Sequence, residues 1–65
     1  MDRNLKAFLA ITEHGNLTIA AEKIGLTQPS LTKRLSNLEQ ELGSQLFDRT
    51  RRGMLLTPAG SSFLR

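Results

Sequence analysis

The 65-residue sequence predicts a mainly α domain: a three-helix core, a short two-stranded hairpin and the start of a further helix. Three observations lead there. Apolar residues recur at helical spacing, glycines and capping residues punctuate those stretches at short intervals, and a basic stretch from Asp48 to Gly53 lies between two short apolar runs. A chain this short has room for one core only, which excludes doubly wound sheets, barrels and two-lobed enzymes.

The first helix is expected over residues 3–14, where Leu5, Phe8, Leu9 and Thr12 form one face, and it should stop at Gly15-Asn16. Thr18 is then the expected N-cap of a short helix, Ile19 to Ile24, burying Ala20, Ala21 and Ile24. Gly25, Leu26 and Thr27 separate it from a third helix over about 28–42. Thr27 caps that helix and Pro29 occupies its first turn, where a missing N–H costs nothing. Leu31, Leu35, Leu38 and Leu42 make its core stripe, and Gly43 closes it. Leu46-Phe47 and Met54-Leu55-Leu56 should pair as a hairpin with Gly53 late in the connection. Thr57-Pro58 repeats the cap-and-proline start, so residues 58–65 open a fourth helix that lacks a stop signal and reads as cut from a longer one. Residues 1–57 are thus expected as the domain proper and 58–65 as the start of a linker.

Helix, helix, tight turn, helix is the helix-turn-helix order, and with the hairpin it becomes a winged helix-turn-helix. Gly25 supplies the turn, and Ala21 four residues earlier allows close helix approach.

Charge points the same way. The net charge is +3, and its excess is carboxy-terminal: Arg49, Arg51, Arg52 and Arg65 stand without an acid among them. Enzymatic chemistry is not expected, because His14 is the sole histidine, cysteine is absent and the acids show no paired spacing. No metal or cofactor is expected for the same reasons. The absence of a signal sequence and of a long apolar run reads as a cytoplasmic chain with no membrane partner. Stacking on single-stranded nucleic acid is poorly served, since Trp and Tyr are missing and Phe8, Phe47 and Phe63 sit at apolar, core positions.

The start of the third helix has the chemistry of a major-groove reader. Gln28 can bond an adenine edge, Ser30 and Thr32 can donate or accept, Pro29 or the Thr32 methyl can touch a thymine methyl, and Lys33 can reach guanine or phosphate. Thr27, Arg34, Ser36 and Asn37 complete the candidate DNA-contacting set on this helix. The same first-turn residues also serve as ordinary caps. In the wing, residues 49–53, Arg51 and Arg52 suit phosphates or a narrow minor groove, with a solvated turn as the alternative. Arg49 either contacts phosphate or pairs with Asp48 or Glu41, and Arg3 and Lys6 are expected to face solvent. A winged-helix protein-interaction module without DNA readout is the competing function, but such a surface should expose apolar anchors where Ser30, Lys33, Ser36, Asn37 and Gln40 stand.

Ala20-Ala21-Glu22, Leu26-Thr27-Gln28-Pro29-Ser30-Leu31-Thr32, Leu38-Glu39-Gln40-Glu41-Leu42-Gly43, Leu46-Phe47-Asp48-Arg49 and Thr57-Pro58-Ala59-Gly60, in that order, resemble the amino-terminal domain of LysR-type transcriptional regulators. The resemblance covers essentially the whole chain. It implies a bacterial, nucleoid-associated regulator that reads a pseudo-palindromic operator in double-stranded DNA as a homodimer joined through the linker helix. It also implies a small-molecule effector bound by a carboxy-terminal domain outside these residues. The 65 residues alone are expected to dimerise weakly or remain monomeric. The family's base-reading positions match Gln28, Pro29, Ser30, Thr32 and Lys33, and its minor-groove wing position matches Arg51 or Arg52. Many members carry Ser-Arg where Thr32-Lys33 stands here. Lysine lacks arginine's bidentate fork, which weakens guanine recognition at that step and leaves phosphate contact.

Overall fold

The computed structural model describes residues 2–65, in the order α1 (Arg3–His14), α2 (Leu17–Lys23), α3 (Gln28–Leu42), β1 (Phe47–Thr50), β2 (Gly53–Leu56) and α4 (Pro58–Leu64). Each helix start is fixed by a side-chain cap. Asp2 accepts from the Asn4 and Leu5 amides, Asn16 from Ile19, Thr27 from Ser30 and Thr57 from Gly60. α2 therefore begins two residues earlier than its sequence predicts: Asn16 caps it, and Thr18 lies inside its first turn. The physical reason is that this start places Leu17, Ala20 and Ala21 together in the core. Ile24 becomes the C-cap and is half-buried.

The turn between α2 and α3 is a Schellman motif. Gly25 takes φ +70°, its amide donates to the Glu22 carbonyl at 3.3 Å, and the Leu26 amide donates to the Ala21 carbonyl at 2.9 Å. Thr27 Oγ1 then caps α3, so the carboxy-terminal carbonyls of one helix and the amino-terminal amides of the next are satisfied within a few residues.

The core gathers Ala7, Phe8, Ala10 and Ile11 of α1, Leu17, Ala20 and Ala21 of α2, Leu31, Leu35 and Leu38 of α3, with Leu46, Phe47 and Met54. Three expectations shift. The α1 face centres on Phe8 and Ile11, with Leu5 and Leu9 half-buried at its edge and Thr12 bonded through its hydroxyl to the Phe8 carbonyl. The α3 stripe ends at Leu38, because Leu42 projects past the core and is 44% exposed. Phe8 packs against Phe47 and Phe63 with ring centroids 5.4 and 5.1 Å apart, but Phe63 stays partly exposed and is not a full core residue.

β1 and β2 pair antiparallel, Phe47 opposite Leu56 and Thr50 opposite Gly53, leaving Arg51 and Arg52 as the turn. Both arginines keep negative φ, and Gly53 takes φ +117° in their place. Thr50 Oγ1 braces this tip, donating to the Gly53 carbonyl and accepting from the Arg52 amide. The hairpin is tied down at three points. The Met54 amide donates to the Gly15 carbonyl at 3.1 Å, the Leu46 amide donates to Glu39 Oε2 at 2.7 Å, and the Thr57 amide donates to the Leu46 carbonyl at 3.0 Å. Gly60 of α4 is buried directly against that same Leu46 carbonyl, where a Cβ would collide with the oxygen.

Candidate nucleic-acid interface

The caps and the leucine stripe together determine how α3 is displayed. Burial of Leu31, Leu35 and Leu38 turns Gln28, Pro29, Ser30, Lys33 and Ser36 outward, while Thr32, Arg34 and Asn37 are half-buried on the flanks. Thr27 is exposed but occupied: its hydroxyl accepts from the Ser30 amide and donates to Ser30 Oγ at 2.9 Å.

The candidates divide between the two sides of α3. Towards α1, Pro29, Ser30, Lys33, Arg34 and Asn37 line an open depression together with Arg3 and Asn4. Towards the hairpin, Gln28, Pro29, Thr32 and Lys33 line another with Arg49. Ser36 lies further along, in a depression shared with Thr32, Glu39 and Asp48. Arg51 and Arg52 are exposed at the hairpin tip and belong to none of these depressions.

Arg3 lines this surface although the sequence predicts only a solvent-facing side chain for it, and Arg49 does so where the sequence leaves phosphate contact and an internal ion pair both open. In the pairing register Arg49 stands opposite Met54, and it shares a strand face with Phe47. Phe47 and Met54 are buried, so Arg49 extends the core-facing side of the hairpin towards the start of α3. Asp48 falls on the other face. That alternation removes one of the open alternatives, an Arg49–Asp48 pair. Among the described residues no Lys or Arg forms an ion pair, the one close contact of opposite charges being His14 Nε2 with Glu13 Oε2 at 3.8 Å. Glu39 is engaged by the Leu46 amide instead. The register signal was present in the sequence, as alternation through Phe47, Asp48, Arg49, but the proximity of Arg3 to α3 is purely tertiary.

The surface is thus polar and cationic, with Arg3, Lys33, Arg34 and Arg49 around one helix end, none of them in an ion pair among the described residues, and with Glu39 and Asp48 beside Arg49 in the depression further along. It can bind a polyanion along the flanks while the outward amide and hydroxyls meet hydrogen-bonding edges. Among the described residues no group of three or more His, Cys, Asp or Glu is placed to hold a metal, and no helix is long and apolar enough to cross a membrane.

Comparison with known proteins places this geometry. Residues 3–61 match the family model described as "Bacterial regulatory helix-turn-helix protein, lysR family". The HTH-type transcriptional regulator ClcR of Pseudomonas putida is 47% identical over 62 residues, 95% of this chain and 21% of that protein. The crystal structure of the CbnR DBD in complex with DNA superposes with a TM-score of 0.90 at 43% identity, covering 98% of this chain and 75% of that one. The BenM DBD complex with catB site 1 DNA gives 0.89 at 42% identity, over 97% and 72%. The chain spans about a fifth of the length of most of the curated relatives it matches, and no more than 42% of any of those compared.

Proposed function

The chain belongs to the lysR family of bacterial regulatory helix-turn-helix proteins, and on that premise we propose that it is the operator-reading domain of a transcriptional regulator. It binds double-stranded DNA sequence-specifically, with α3 in the major groove and the 49–53 wing at phosphates or the minor groove. Gln28, Pro29, Ser30, Thr32 and Lys33 face base edges. Thr27, Arg34, Ser36 and Asn37 support the same contact, and Arg51 and Arg52 reach the backbone or minor groove beside it. Residues 1–57 do the reading, and 58–65 begin a linker helix through which the full-length protein forms a homodimer on a pseudo-palindromic operator. A small-molecule effector binds a separate carboxy-terminal domain, and the regulator acts without enzymatic activity in the bacterial cytoplasm, on the nucleoid.

One observation carries this reading: the outward face of α3 is polar, and among the described residues the cations around it form no ion pair. The relatives solved with DNA support it. A protein-docking role for the same face is not favoured, because the exposed large hydrophobics are Ile19, Leu42, Leu55, Phe63 and Leu64, none of which lines the depressions on either side of the start of α3. Leu42 and Phe63 line an apolar groove with Leu46 and Ala59, which supports the linker contact instead.

Selection of bound sites from random duplex DNA, followed by titration of variants, tests the proposal. Gln28→Ala should relax preference at one base pair by about 1–3 kcal/mol, whereas Arg52→Ala should weaken binding to all sequences and lower the salt slope by about 1. Uniform losses across the panel for Gln28→Ala would contradict base reading by α3.

A further inference from the structure

Pro29 and Lys33 line both of the depressions beside the start of α3, so they mark the ridge of that helix and the two depressions lie on its opposite flanks. The flanks differ in charge. On the α1 side Lys33 is joined by Arg34 and by Arg3 from the first turn of α1, and no acid among the described residues lines that depression. On the hairpin side the added cation is Arg49, with Glu39 and Asp48 beside it further along. The Asp2 carboxylate, next to Arg3 in the chain, is engaged as the cap of α1, accepting from the Asn4 and Leu5 amides at 2.7 and 3.2 Å. Among the described residues neither Arg3 nor Arg34 is in an ion pair, although Arg34 is half-buried. Half-buried Asn4 and Asn37 add side-chain amides to the same lining.

Three cations with amides between them and no lining acid suit an anion rich in acceptor oxygens, and the planar fork of arginine matches phosphate in particular. Duplex DNA brings that anion to both flanks of α3. A helix with its side chains is about 10–12 Å across and the major groove is about 12 Å wide, so a helix seated there has one strand's backbone against each flank. We infer that the α1 side of α3 is a phosphate-binding site, in which Arg3 and Arg34 hold the backbone of one DNA strand while Arg49 holds that of the other. The inference rests on the major-groove placement of α3 proposed above. It extends the DNA contact to α1, whose Arg3 the sequence alone leaves to solvent.

Two measurements with a selected duplex test it. Arg3→Ala should keep the parent's base preferences and lower the salt slope by about 0.9, the share of one neutralised phosphate. A scan of duplexes carrying one uncharged methylphosphonate at a time, on either strand, should then show that Arg3→Ala has lost the parent's sensitivity to a phosphate on one strand and Arg49→Ala to a phosphate on the opposite strand. An unchanged slope in Arg3→Ala overturns the inference. So does a variant that has a lower slope but responds to every methylphosphonate as the parent does, or one that loses the same strand's phosphate as Arg49→Ala. Should Arg3→Ala unfold earlier in urea than the parent, Arg3→Lys against Arg3→Gln decides, since both keep a long side chain and only the lysine should keep the slope. If Gln28→Ala shifts base preference while the Arg3 variants change nothing, the phosphate site falls and the reading by α3 stands. If Gln28→Ala shifts no preference while Arg3→Ala still loses one strand's phosphate, the reading falls and the site stands.

Discussion

Replacing Gly53 with alanine should cost far more than the same change at Gly25, although both glycines have positive φ, +117° and +70°. At Gly25 a Cβ meets nothing within 4 Å, so the penalty is the backbone conformation alone, about 1–2 kcal/mol. At Gly53 the Cβ would run into the Gly15 carbonyl oxygen, the same atom that accepts the Met54 amide at 3.1 Å. Relief requires the hairpin and the α1–α2 loop to separate, which loses a hydrogen bond of about 1 kcal/mol and adds overpacking strain of about 1–3 kcal/mol. Gly53→Ala should therefore lose about 3–6 kcal/mol in total, a large part of what a small domain has. The gap between the variants is at least about 2 kcal/mol, which corresponds to at least about 8–16 °C in Tm for a chain of this size. The sequence contains no Trp or Tyr, so far-UV circular dichroism is the natural probe of urea and thermal unfolding. Equal midpoints for the two variants, or a Gly53→Ala variant as stable as the parent, would refute the claim that the wing is docked through Gly15.

Glu39→Ala should remove the acceptor from the half-buried Leu46 amide, costing about 1–3 kcal/mol and speeding hydrogen exchange at that amide while the α2–α3 turn stays protected. Arg49→Ala should leave the urea midpoint within about 0.5 kcal/mol of the parent, since no ion pair is lost, yet lower the salt slope of DNA binding by about 1. A destabilised Arg49→Ala variant would mean that the side chain supports the hairpin instead of the ligand.

The caps were the most legible feature of this sequence, because each is a local contact between a side chain and an amide two or three residues on. Thr27, Thr57 and the glycines after α1 and α3 stand where their residue types place them. Asn16 and Thr18 are both good capping residues two positions apart, and only the burial of Leu17 against the rest of the core chooses between them. The leucine stripe of α3 was equally plain, but periodicity continues to Leu42 after the packing partners have ended. Nothing local marks that difference. For the candidate site, the outward residues of α3 follow from the stripe itself, whereas the approach of Arg3 from α1 and of Arg49 from β1 depends on how separate elements pack.

The most direct measurement is the change in backbone amide resonances when a selected duplex is added to the isotopically labelled chain. The account predicts the largest shifts from Gln28 to Lys33, with further shifts at Arg3, Arg49, Arg51 and Arg52, and little change around Leu42 and Phe63. A response centred on Leu42, Ala59 and Phe63, with the first turns of α3 unmoved, would contradict it.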